Sequence, residues 1–247
     1  MTPSAETVAD AIRFIDLAGV LANAVLGGMA ARSARLDIVG FVILAIMSGL
    51  GGGMIRDTLL QHGTPVALTD PAYLIFAVAG GAIAFFIPLR SRWSQRSLVL
   101  LDAFAVGCWA AAGAQKAIDV GLWWLPAIML GVITAVGGGM VRDIMLMKVP
   151  TIFGGNTLYA TSALLASVEM VVFNLVGRPA VGSVVAIVSG ALLSLLARRY
   201  GWILPTGLEL RVPKPRLPLS LRSRLERARA EERLAEPTRS EEEVQPE

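Results

Sequence analysis

Residues 51–57 read Gly51-Gly52-Gly53-Met54-Ile55-Arg56-Asp57, and residues 137–143 read Gly137-Gly138-Gly139-Met140-Val141-Arg142-Asp143. The two stretches lie 86 positions apart, and the same shift aligns their surroundings without a gap. Asp16 falls on Asp102, Ala24 on Ala110, Gly27 on Gly113, Ser48 on Thr134, Leu60 on Leu146 and Tyr73 on Tyr159, while Asp70 meets Asn156. A seven-residue match of this kind marks an internal duplication even in a chain with 25 glycines.

Each motif sits inside an apolar stretch. Seven stretches reach the roughly 20 residues that a helix needs to cross a bilayer core. They run near 12–31, 37–60, 71–89, 97–117, 122–147, 157–177 and 180–199. Three spans make one repeat, and three is odd, so successive copies enter the membrane from opposite sides. This is an inverted-topology repeat, the plan of many transport folds. The expected architecture is an all-α integral membrane protein of seven helices, 3+3+1. Residues 1–11 form an extracytoplasmic segment, 12–89 the first repeat, 90–177 the second, 178–200 the seventh helix and 201–247 a cytoplasmic tail.

Composition excludes other classes. Hydrophobic residues make up 55% of the 247 and charged ones only 17%, against about 25% in a soluble domain. Mean hydropathy is +0.64. One cysteine cannot close an internal disulfide, and one histidine argues against a zinc site. No paired His/Asp/Ser set or phosphate loop with its lysine is present, so neither an enzyme nor a cofactor is expected. The net charge of +3 is read as cytoplasmic loop charge rather than as a nucleic-acid surface. Arg32, Arg35, Arg90, Arg92, Arg96, Lys148, Arg198 and Arg199 fall on one side of a seven-span chain. The positive-inside rule then puts the N-terminus outside and the C-terminus in the cytoplasm.

Three glycines in an apolar helix are costly, at roughly 1 kcal/mol each relative to alanine. They admit two readings: a break in the helix, or close packing of small residues between helices. The duplication favours breaks in spans 2 and 5, freeing carbonyls near Gly51 and Gly137 to coordinate a cation. Ser48 and Thr134, one turn earlier, offer hydroxyls to the same site, although such groups commonly bond their own helix. Arg56 and Arg142 need partners inside the membrane. Adjacent residues on a helix point about 100° apart, so the expected partners lie across the repeat: Arg56 with Asp143 or Asp102, Arg142 with Asp57 or Asp16. Glu169, whose repeat mate is apolar Ile83, is a candidate intramembrane acid. Lys116 is expected at the interface, the tryptophans mostly in an aromatic belt, and Asn23 and Asn174 on neighbouring helices.

After Arg199 the chain changes character. Prolines at 205, 213, 215 and 218 predict an extended linker over 201–219, and 220–236 suits a short charged helix. Residues 211–229 carry a net +6 and 230–247 a net −5. The basic part suits anionic lipid, and the last eleven residues read as disordered.

With both GGGxxRD motifs in place, residues 10–200 resemble the prokaryotic members of the trimeric intracellular cation (TRIC) channel family, also catalogued under a glycine-transporter domain name. The resemblance implies a homotrimer whose protomers each hold a pore, bounded by spans 2 and 5 and by spans 1 and 4. It implies passive flow of monovalent cations, chiefly potassium, through a bacterial inner membrane. Animal members carry a lysine-glutamate-valine lipid motif that this chain lacks. The catalogue name keeps a second expectation open, a carrier for a small amino acid such as glycine at the same broken helices.

Overall fold

The computed structural model describes residues 5–87, 91–153 and 158–204, with side chains from residue 13 onward. The chain divides into two units, Met1–Thr206 and Gly207–Glu247. The linker, charged helix and acidic end expected in the tail lie outside the described residues, as do Arg90 and Asn156.

Among the described residues all regular structure is helical. α1 covers Ala5–Ser33, α2 Ile38–Leu60, α3 Val66–Thr69, α4 Pro71–Phe86, α5 Arg92–Asp119, α6 Trp124–Met145, α7 Tyr159–Leu175 and α8 Pro179–Tyr200. A 3₁₀ turn at Thr151–Phe153 precedes α7. The seven expected spans correspond to α1, α2, α4, α5, α6, α7 and α8. Five are long and apolar enough to cross a membrane, while α4 and α7 are shorter apolar helices. Their 16 and 17 residues reach about 24–26 Å at 1.5 Å per residue.

Local chemistry fixes the helix starts. Asp37 caps α2 by accepting from the Gly40 N–H at 2.8 Å. Asp70 caps α4 from Ala72 at 3.0 Å, with Pro71 in the first turn. Ser91 accepts from the Trp93 N–H at 3.2 Å, so α5 begins five residues earlier than expected and takes Arg92 and Arg96 into its first turns. Such side chains satisfy N–H groups that the helix itself leaves free.

The repeat is visible in the packing. α1 packs on α2, α4 and α5; α5 packs on α6, α7 and α8; and α2 crosses α6. The interior is built from small residues, Ala24, Ala45, Ala105, Ala110, Ala163 and Ala166 among them, all fully buried. Leucine, isoleucine, valine and phenylalanine dominate the outer surface, as at Ile43, Ile75, Phe86, Leu164, Val188 and Leu192. This inversion of the soluble pattern suits a lipid surround, where apolar side chains lose nothing by facing outward and close backbone packing holds the helices together.

The glycine motifs do not break their helices. α2 and α6 are each one uninterrupted α-helix through Gly51–Gly53 and Gly137–Gly139. The carbonyls expected to be free near Gly51 and Gly137 therefore remain in the helical ladder, each committed to the N–H four residues on. The physical reason for the glycines is contact. A Cβ added to Gly52 would collide with the Thr134 carbonyl oxygen, and one added to Gly138 with the Ser48 carbonyl oxygen. A Cβ on Gly137 would lie 2.8 Å from the Gly52 Cα. α2 and α6 thus cross main chain against main chain.

Candidate functional site

Two cavities flank this crossing and repeat the 86-residue relationship. The first, about 250 Å³, is lined by Asp16, Ser48, Gly53, Arg56, Tyr73 and Trp109, with Asp57, Lys116, Thr134 and Gly138. The second, about 290 Å³, is lined by Asn23, Asp102, Gly139, Arg142, Tyr159 and Arg198. Asp102, Gly139, Arg142 and Tyr159 are the repeat mates of Asp16, Gly53, Arg56 and Tyr73, and Asn23 is the mate of Trp109. Short connections make successive helices antiparallel, so the first cavity gathers the ends of α2 and α5 with the start of α4. The second gathers the ends of α6 and α8 with the starts of α5 and α7. They open toward opposite ends of the bundle. The Arg13–Asp70 ion pair at 2.7 Å lies at the first end. Arg32, which donates to the Ala84 carbonyl at 2.7 Å, lies at the other.

The Arg-Asp motifs form their ion pairs within each copy. Arg56 Nε meets Asp57 Oδ1 at 2.7 Å, and the Arg142 guanidinium meets Asp143 Oδ1 at 2.9 Å. The expected pairs across the repeat do not form. The 100° offset between neighbours is overcome by the length of the arginine side chain, which folds back over its own helix to reach the carboxylate. Each aspartate also accepts from the segment that follows. Val66 N–H at the start of α3 donates to Asp57 Oδ2 at 3.0 Å, and Thr151 N–H donates to Asp143 Oδ2 at 3.0 Å. The chain returns because Gln61 and Met147, again repeat mates, end the helices in left-handed conformation at φ 49° and 54°. This backbone region is unfavourable for a side-chain-bearing residue, and the aspartate bonds help to hold it. Asp57 also pairs with Lys116 Nζ at 2.7 Å, whereas Asp143 accepts in addition from the Thr151 hydroxyl at 3.2 Å. Lys116, expected at the interface, ties α5 to α2 through this pair.

Asp16 and Asp102 form the second matched pair. Tyr73 donates its hydroxyl to Asp16, and Tyr159 donates to Asp102 at 3.0 Å. Trp109 Nε1 donates to Asp16 at 2.6 Å and Asn23 Nδ2 to Asp102 at 3.2 Å. Trp109 is buried, a correction to its expected place in an aromatic belt. Asn23 and Asn174 do bond neighbouring helices, the latter donating to Gln115 at 3.0 Å. Arg198, read from the sequence only as a loop charge, reaches Asp102 at 2.8 Å. One signal for these partners was present in the sequence. Trp109 and Asn23 stand seven residues, about two helical turns, after Asp102 and Asp16, and so on the same helix face.

The remaining candidates divide. Thr134 Oγ1 donates to the Leu130 carbonyl of its own helix at 2.6 Å. Ser48 is fully buried and among the residues lining the first cavity, and its hydroxyl has no hydrogen-bond partner among the described residues. Glu169 accepts from the Ser189 hydroxyl across α7 and α8 and lines neither cavity.

Residues 13–88 and 99–174, two segments that begin 86 positions apart, match the family described as Glycine transporter. The chain is 36% identical over 158 residues to a UPF0126 membrane protein of Deinococcus radiodurans, covering 64% of this chain and 74% of the relative. It is 30% identical to the inner membrane protein YadS of Escherichia coli K12, covering 64% and 76%. A solved TRIC cation channel superposes with a TM-score of 0.73 at 30% identity, over 79% of this chain and 97% of that one. The TRIC trimeric intracellular cation channel orthologue of Rhodobacter sphaeroides gives 0.66 at 31% identity, over 77% and 96%.

Proposed function

The chain belongs to the glycine transporter family of membrane proteins, and from that premise we propose that it is a passive channel for monovalent cations, chiefly potassium, with one path through each protomer. The carrying observation is the pair of matched, charge-lined cavities at opposite ends of one bundle, meeting at the Gly52–Gly138 crossing. Polar groups of this kind inside an apolar-faced bundle mark solute paths. The likeness to solved TRIC cation channels supports the same reading. The path runs from the Asp16 cavity, past the Ser48 hydroxyl and the glycine crossing, to the Arg142 cavity. In the form described here the crossing is closed, and conduction requires α2 and α6 to part.

The five long helices and the shorter α4 and α7 all cross the membrane in this reading, with the N-terminus outside, the C-terminus cytoplasmic and the protein in a bacterial inner membrane. The assembly is a homotrimer, by analogy with the trimeric channel it superposes on. The tail meets anionic lipid. Gly51–Gly53 and Gly137–Gly139 serve as the movable constriction. The glycine-carrier alternative is weaker, because it needs a half-helix to start at each motif and receive a carboxylate, and both helices are continuous.

Flux in proteoliposomes tests the proposal. A potassium gradient should set up a diffusion potential, smaller with sodium, while a glycine gradient gives no saturable uptake. Saturable glycine uptake without a potassium potential reverses the assignment. A reporter fused after Arg199 should read as cytoplasmic.

A further inference from the structure

The two cavities are matched in position but differ in where their unmatched cation sits: in the first, Lys116 pairs with Asp57 and leaves Asp16 to neutral donors, and in the second, Arg198 pairs with Asp102. Asp16 accepts from two neutral donors, Tyr73 and Trp109, and among the described residues no cation pairs with it. Asp102 accepts from the corresponding neutral donors, Tyr159 and Asn23, and from a third group, the Arg198 guanidinium at 2.8 Å. Arg198 belongs to α8, which has no mate in the duplication. Its guanidinium carbon also lies 5.8 Å from the centre of the Tyr159 ring, a second cation-stabilising contact.

We infer that Arg198 is a tethered cation filling the Asp102 half of a duplicated cation site, so that the Asp16 half alone binds the permeant monovalent cation. The inference rests on the channel reading above. The duplication supplies the argument. The same carboxylate–tyrosine arrangement occurs twice, and where α8 reaches it a positive group sits on it. A second observation concerns the Asp16 side. Ser48, fully buried and with no partner for its hydroxyl among the described residues, is one of the residues lining the same cavity. The Asp16 carboxylate and the Tyr73 phenol oxygen line this cavity together, and oxygen donors of this kind suit a hard alkali cation. The inserted guanidinium makes the permeation path asymmetric: the Asp16 carboxylate has no cation on it among the described residues, and the Asp102 carboxylate is occupied.

Chemical complementation tests this directly. Arg198→Ala removes the tethered group and leaves Asp102 open to a small cation. Millimolar guanidinium should raise the thermal midpoint of purified Arg198→Ala protein, with no such rise in the wild type or in Asp102→Asn/Arg198→Ala. Equal responses in all three overturn the inference. A second comparison does not depend on that variant folding. Asp16→Asn should raise the half-saturating potassium concentration for conductance about tenfold, the change that 1.4 kcal/mol produces. The charge-neutral Asp102→Asn/Arg198→Gln pair should leave it within about twofold. If the pair variant shifts as far as Asp16→Asn, the two halves are equivalent and the inference is wrong. Guanidinium rescue in a protein that passes no potassium would retain the tethered cation and remove the channel reading. A conducting wild type without rescue would do the reverse.

Discussion

Asn23 and Trp109 occupy equivalent places in the two repeats, and each donates a hydrogen bond to the aspartate of the opposite repeat, Asn23 to Asp102 and Trp109 to Asp16. The two halves are thereby bonded to one another by a reciprocal pair. Trp109→Phe keeps a buried ring and deletes the donor. It should lower stability by about 1 kcal/mol, within the range measured for hydrogen bonds between membrane helices. Asn23→Ala should cost less, because Asp102 keeps the Arg198 charge. Thermal unfolding in detergent gives the order, and the opposite order would show that these bonds do not tie the repeats.

The glycine motifs separate into positions that touch and positions that do not. Gly52→Ala and Gly138→Ala drive a methyl group into a backbone carbonyl that cannot rotate away. Each should destabilise by at least the roughly 1–3 kcal/mol typical of overpacking. At Gly53 and Gly139 an added Cβ meets nothing closer than an arginine nitrogen at 3.8 Å, so alanine there should fold normally. Because both line the cavities, the measurable change should appear in potassium flux. A Gly53→Ala protein that unfolds would contradict this division.

Asp57 is buried with two cations on one oxygen, Arg56 and Lys116, both at 2.7 Å. Removing the carboxylate as Asp57→Asn leaves both uncompensated and should cost about 3–5 kcal/mol. Lys116→Met leaves the Arg56 pair intact and should cost clearly less. It also makes the Asp16 cavity more negative, so cation flux should rise at low ionic strength and converge with the wild type at high salt. A flux change independent of salt would exclude an electrostatic cause.

Glu169 contacts Ser189 and lines neither cavity. Glu169→Gln keeps an acceptor for that hydroxyl and should leave potassium flux and its pH dependence unaltered. Loss of flux in this variant would require a second path between α7 and α8.

The sequence carried the large-scale organisation and little of the pairing. Duplication, the all-helical class and the special status of residues 51–57 and 137–143 followed from an exact offset and from apolar length, both properties of the chain itself. The helix break did not follow, because glycine cost in an isolated helix competes with the packing gained at a crossing, and only the partner helix decides. The partners of Arg56 and Arg142 were missed for a similar reason. Cα direction sets where a side chain starts, but four flexible bonds set where a guanidinium ends. Lys116 and Arg198 stood at helix ends, where a cation facing headgroups and one turned inward look alike in sequence.

The main-chain contact at Gly52 and Gly138 has a kinetic consequence. A constriction made by a side chain opens when one rotamer flips, within nanoseconds. Here the obstructing atoms belong to the backbones of two intact helices, and no torsion of a single residue clears them. In the channel proposed above, opening requires bodily displacement of whole helices, a motion on the microsecond to millisecond scale. Long, discrete dwell times in single-channel records, rather than rapid flicker, are the expected signature.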